Sequence, residues 1–160
     1  MGRLLRLAFI LVFGCTLVAV ADDTTPSFKD IINLTTPGSP VMSPDGSKIL
    51  YTMSAPNWEK NRYVTQIYII DVASGESRQL TYADSSSGSP AWSPDGRFIS
   101  FTSSRGENSK TQVYVLPVAG GEAQEVTESK TGVMGYEWSP DGAWLAYTDF
   151  DDKEDIRKKR

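Results

Sequence analysis

The sequence predicts an all-β chain, a partial β-propeller of four-stranded antiparallel blades with two complete repeats and the start of a third. Three observations predict it. The tetrapeptide Ser-Pro-Asp-Gly occurs at Ser43-Pro44-Asp45-Gly46, Ser93-Pro94-Asp95-Gly96 and Ser139-Pro140-Asp141-Gly142, at intervals of 50 and 46 residues. Each copy runs into the pattern aliphatic, any, aromatic, Thr: Ile49-Leu50-Tyr51-Thr52, Ile99-Ser100-Phe101-Thr102 and Leu145-Ala146-Tyr147-Thr148. A second block keeps step, since Gln66-Ile67-Tyr68-Ile69 returns 46 residues later as Gln112-Val113-Tyr114-Val115. Four strands per repeat of roughly 40 to 50 residues is the size of one propeller blade.

In chain order, the first segment reads as an export signal. Arg3 and Arg6 precede an apolar or small run over residues 7–18, and Ala19-Val20-Ala21 places small residues where a signal peptidase cuts. The expectation is a signal peptide over residues 1–21, cleaved after Ala21, and a propeller segment over residues 22–160. The run is too short for a comfortable membrane span. A rival reading makes Val12-Phe13-Gly14-Cys15 a lipobox and Cys15 an acylated residue, although Phe13 is unusual there. An uncleaved anchor is a third reading. Cleavage before Asp22 removes Arg3 and Arg6, so the formal charge moves from −4 to −6, and it removes Cys15. The mature chain is then held by packing without disulfides.

Within each repeat the turn chemistry sets the strands. Pro fixes φ near −65° for the second turn position, Asp bonds back to the backbone, and Gly takes the positive φ that closes the hairpin. The alternating run that follows is a half-buried strand, with Ile49, Ile99 and Leu145 on the same face as Tyr51, Phe101 and Tyr147. Ser74-Gly75 and Gly120-Gly121 mark a second hairpin turn, and Leu80-Thr81 and Val126-Thr127 end a brief fourth strand. Tyr68, Tyr114, Trp92 and Trp138 recur at blade positions and read as packing aromatics. The aspartates of the tetrapeptide read as turn residues, because a calcium loop needs several oxygen ligands in one segment. Trp58 lies in the polar stretch 55–62 with no counterpart in the next repeat, which suggests a rim loop.

The composition excludes whole classes of chemistry. There is no histidine and one cysteine, so neither a Ser-His-Asp site nor a common zinc site can be assembled from these residues. No catalytic, cofactor-binding or metal-binding residue is expected. Lys plus Arg number 16 against 20 for Asp plus Glu, and the basic residues are scattered until the last positions, which argues against a nucleic-acid partner. Glu59 and Glu107 are of the type that holds a peptide amine, but solvated loop charge is the reading preferred. Residues 150–160 contain three Asp, one Glu and five Lys or Arg, and Asp151-Asp152 lacks the pocket a carboxylate dyad needs. That stretch is expected to be a solvated loop. The third Gln-x-Tyr strand is due near positions 158–162, so the sequence is expected to be a truncated part of a larger propeller.

On these motifs the chain resembles the N-terminal propeller of bacterial prolyl oligopeptidase-family serine peptidases, in the acylaminoacyl-peptidase and dipeptidyl-peptidase-like branch. The likeness begins at Phe28-Lys29-Asp30-Ile31-Ile32-Asn33-Leu34 and includes the Gln66 and Gln112 strands and the charged stretch after Tyr147. It implies a propeller that covers an α/β-hydrolase domain and limits substrates to small peptides, with the catalytic residues in that second domain. No Gly-x-Ser-x-Gly elbow is present in this sequence, so no catalytic residue carries over. The repeats are also similar to the periplasmic protein-binding propeller TolB. TolB-like proteins place an α/β domain first, and only 21 positions separate Asp22 from Ser43. Oligogalacturonate lyases share similar repeats but lean on histidine ligands.

Overall fold

The structure is a computed structural model that describes residues 25–106 and 110–150. The predicted signal at 1–21, Cys15, Glu107 and the polar stretch from 151 onward lie outside the described residues. The element order is α1 (Phe28–Ile32), β1 (Thr36–Met42), β2 (Lys48–Asn57), β3 (Arg62–Asp71), β4 (Ser77–Gln79), β5 (Ser87–Trp92), β6 (Phe98–Ser103), β7 (Gln112–Pro117), β8 (Gln124–Glu125), β9 (Val133–Trp138) and β10 (Leu145–Asp149). The strands form two four-stranded sheets, β1-β2-β3-β4 and β5-β6-β7-β8, and a two-stranded sheet, β9-β10. All pairs are antiparallel. These are two blades and the first two strands of a third, as the repeat predicts.

The tetrapeptide works through its serine as well as its aspartate. Ser43 Oγ donates to Asp45 Oδ1 at 2.6 Å and accepts from the Lys48 amide at 2.9 Å, while the Ser47 amide donates to the same carboxylate oxygen at 3.0 Å. Gly46 closes the turn with its amide 2.9 Å from the Ser43 carbonyl and φ of 73°, a value an L side chain rarely adopts. The pattern recurs in the other two copies, with Ser93 on Asp95 and Ser139 on Asp141, both at 2.6 Å. Hydrogen bonds from the serines, then from the following backbone, hold the Asp45 and Asp95 carboxyls down to about 2. Their lone pairs are committed to the turn.

The core lies between blades. Leu50, Ile67 and Ile69 of the first blade meet Trp92, Ile99, Phe101, Tyr114 and Leu116 of the second. Fully burying each aliphatic side chain stabilises the fold by about 1.5–3 kcal/mol. The tryptophans fix the stacking with directed bonds: Trp92 Nε1 donates to the Val41 carbonyl at 3.1 Å, and one repeat later Trp138 Nε1 donates to Ser100 Oγ at 2.8 Å. Rings pair along the register, Tyr51 on Tyr68 with centroids 5.6 Å apart and Phe101 on Tyr114 at 5.8 Å. The expectation that these aromatics pack holds.

The glutamine of each Gln-x-Tyr strand ties the third strand to the link that follows the fourth. Gln112 is fully buried; its Nε2 donates to the Ser129 carbonyl at 2.7 Å, and its Oε1 accepts from Thr127 Oγ1 at 2.7 Å and the Ser129 amide at 3.0 Å. Gln66 repeats this with the Ala83 carbonyl and Thr81 Oγ1, both at 2.6 Å. A second feature of the blades is a bulge in β1 and β5, between Gly38 and Val41 and between Gly88 and Ala91. Ser39 and Ser89 sit there at φ of 48° and 49°. The bulge re-aims the chain beside a proline that has no amide to offer the ladder.

Candidate functional site

The Ser-Pro-Asp-Gly turns mark one end of the blades, and the β2–β3 hairpin tip and the β4–β5 and β8–β9 links mark the other. Side-chain chemistry beyond turn formation concentrates at the second end. The lead-in segment folds there as α1, a single helical turn with a capping box: the Asp30 amide donates to Ser27 Oγ at 3.2 Å, and the Ser27 amide donates back to Asp30 Oδ2 at 2.8 Å. The hairpin tip holds the helix in place. Trp58 Nε1 donates to Asn33 Oδ1 at 2.9 Å, and Tyr63 OH donates to the Ile32 carbonyl at 3.0 Å. Trp58 is thus at the rim, as its polar neighbours suggest, and its indole anchors the N-terminal segment. It remains 58% exposed, next to Phe28 at 78%, around an open groove of about 480 Å³ lined by Phe28, Lys29, Ile32 and Trp58.

Charged groups brace the same rim. Lys60 Nζ lies 2.6 Å from Asp84 Oδ2, and Arg62 Nη2 donates to the Asp84 carbonyl at 2.8 Å, which pins the hairpin to the β4–β5 link. Glu59 is exposed at the tip. In the second blade Arg105 lies 5.0 Å over the Phe101 ring and 5.1 Å over the Tyr114 ring, and it donates to Ser103 Oγ at 3.1 Å and Ser87 Oγ at 2.6 Å. Tyr114 OH donates to Glu125 Oε2. Burial, with that carboxylate beside it, pushes the Tyr114 phenol up to about 12. Gly106 passes so close that a Cβ there would lie 2.9 Å from Glu125 Oε2.

The polar side chains described at this rim are tied to one another and to the adjoining links. The hydroxyls of Ser87 and Ser103 face a guanidinium, which cannot accept a proton. Among the described residues no three His, Cys, Asp or Glu side chains gather as metal ligands, and no helix is long and apolar enough to cross a membrane. Sequence reasoning missed α1, the clamp role of Gln66 and Gln112, the Gly-Ser-Pro bulges and Arg105. Signals for three of these were present: Ser27 followed by Asp30, the paired recurrence of Gln with Thr81 and Thr127, and Gly38-Ser39-Pro40 returning as Gly88-Ser89-Pro90.

Comparison with known proteins places this architecture. The TolB beta propeller domain matches residues 18–158. The chain belongs to that family. Its relatives include peptidases. It is 38% identical over 85 residues to the uncharacterized peptidase YuxL of Bacillus subtilis, covering 53% of this chain and 12% of YuxL. It is 31% identical over 65 residues to dipeptidyl-peptidase 5 of Porphyromonas gingivalis, covering 41% of this chain and 10% of that enzyme. The matched part is therefore about a tenth of the length of these curated relatives. Among solved structures, a putative TolB from Agrobacterium tumefaciens superposes with a TM-score of 0.53 at 31% identity, covering 66% of this chain and 35% of that one. The resemblance drawn from the motifs stands at this level: a TolB-type propeller with peptidase relatives.

Proposed function

We propose that this chain is the non-catalytic, substrate-gating propeller portion of a secreted serine peptidase that cleaves peptides. The observation that carries the reading is the similarity to two peptidases, 38% identical over 85 residues and 31% over 65. The open groove of Phe28, Lys29, Ile32 and Trp58 at the hairpin end is the surface this reading assigns to contact with the rest of the enzyme or its substrate. On this reading the peptide substrate is hydrolysed in a C-terminal hydrolase domain. The chain is exported by the signal at residues 1–21, and nucleic acid is not a partner.

The test uses protein expressed from the whole reading frame and a series of fluorogenic peptides of increasing length. Gating predicts hydrolysis of short peptides, a steep loss of rate with length, and inhibition by a serine-directed phosphonate. A second reading, a TolB-like protein-binding propeller in the periplasm, is favoured by the family match and by the 31% identity to the Agrobacterium protein. It predicts no hydrolysis at any length, which would overturn the peptidase reading.

A further inference from the structure

Each Ser-Pro-Asp-Gly turn contains an Asp-Gly bond, where an aspartyl side chain can close on the next amide because glycine has no side chain to obstruct the approach. Proline precedes and glycine follows all three aspartates, so the local covalent chemistry is the same in each copy. All three aspartates are exposed, so water reaches each of them. The glycine nitrogen is also held alike, 2.9 Å from the serine carbonyl in every copy. The carboxylates differ. Asp45 is held at both oxygens, with Ser43 Oγ at 2.6 Å and the Ser47 amide at 3.0 Å on Oδ1 and Ser47 Oγ at 2.9 Å on Oδ2. Asp95 is held in the same way, with Ser93 Oγ and the Arg97 amide on Oδ1 and Arg97 Nε at 2.6 Å on Oδ2. At Asp141 both donors, Ser139 Oγ at 2.6 Å and the Ala143 amide at 3.0 Å, fall on Oδ1. Ala143 stands where the other copies have Ser47 and Arg97 and has no side-chain donor, so among the described residues Oδ2 of Asp141 has no partner.

We propose that Asp141-Gly142 is a site of spontaneous isoaspartate formation in the folded chain, and that the bond to the second carboxylate oxygen protects Asp45-Gly46 and Asp95-Gly96. The backbone nitrogen of Gly142 bonds to Cγ of Asp141, and its proton leaves with a hydroxyl of the neutral carboxyl as water. The succinimide then takes up one water at either carbonyl and opens to aspartate or isoaspartate, so the sequence balances without an oxidant or a reductant. Closure needs the carboxyl neutral and turned toward that nitrogen. Donors on both oxygens favour the ionised form and fix its orientation. The residue at position 143 sets the difference, so it is independent of what packs around the third blade. Isomerisation adds one carbon to the main chain of the turn and removes the hold of Ser139 on Asp141 that shapes the β9–β10 hairpin.

The test ages the full chain at neutral pH and body temperature and counts isoaspartate at each turn by peptide mapping, with methyl transfer by a protein isoaspartate methyltransferase as the second readout. The expected result is accumulation at Asp141 about threefold or more faster than at Asp45 or Asp95, the order of one exposed charge-assisted hydrogen bond. Ala143→Ser brings the Asp141 rate down to that of Asp45, and Ser47→Ala raises Asp45 toward Asp141. In urea the three rates converge. Equal rates in the folded chain overturn the inference, as does a faster rate at Asp45 or Asp95. A difference that persists in urea belongs to local sequence and overturns it too. So does an Asp141 rate unchanged by Ala143→Ser together with an Asp45 rate unchanged by Ser47→Ala.

Discussion

Replacing Gln112 by alanine removes the centre of a buried network whose cost can be worked from its geometry. Three hydrogen bonds disappear, to the Ser129 carbonyl, the Ser129 amide and Thr127 Oγ1, at 2.7, 3.0 and 2.7 Å. Each contributes about 1 kcal/mol net, and a buried polar group left without a partner costs about 1–3 kcal/mol. Ser129 and Thr127 are themselves buried, so water does not replace the amide freely. The expected loss for Gln112→Ala is about 3–5 kcal/mol, a large part of the roughly 5–15 kcal/mol that holds a domain folded. Gln66→Ala is the internal comparison, since Gln66 is half-buried and makes two such bonds. Its expected cost is about 1–2 kcal/mol. The assay is urea unfolding of the two variants and the parent chain at one protein concentration, with the slope checked for constancy. A loss below about 1 kcal/mol for Gln112→Ala, or equal losses for the two variants, would refute the clamp reasoning.

Three further outcomes are expected. Gly46→Ala, at φ of 73° with nothing within 4 Å of the added carbon, costs backbone strain alone, about 1–2 kcal/mol, read as a lower melting temperature; an unchanged value contradicts the turn assignment. Asp45 and Asp95 have folded values lowered from 3.8 to about 2, so their stabilisation is complete above about pH 4 and is lost as the pH falls through about 2. Carboxyl chemical-shift titration checks this, and midpoints near 3.8 would contradict it. Tyr114, raised to about 12, is protonated in the fold above the ordinary value of 10, so its contribution is complete below pH 10 and lost between 10 and 12. The absorbance titration of the chain minus that of Tyr114→Phe isolates the phenol.

What was legible in the sequence is what repeats. The turn tetrapeptide, the alternating strand after it and the Gln-x-Tyr strand each have a local cause, and the structure places them at the same positions in successive blades. Tyr51 and Phe101 fall on one face because strand side chains alternate, which needs no tertiary information. The hairpin-end site was less legible because it is made by meetings across distance. Trp58 finds Asn33 from 25 positions away, and Arg105 reaches Ser87 from 18. Neither partner recurs in another repeat, so no periodicity announces them. The bulges at Ser39 and Ser89 did repeat, but a bulge is seen only once the register of both strands is known.

The central claim, a gating propeller joined to a serine peptidase, is tested most directly by reading the coding sequence downstream of the codon for Arg160. The account predicts an open frame through further Ser-Pro-Asp-Gly blades, opening with a Gln-aliphatic-Tyr strand, into a Gly-x-Ser-x-Gly segment with a later aspartate and histidine. A frame that completes the blades and stops without those residues would contradict it and leave the protein-binding propeller.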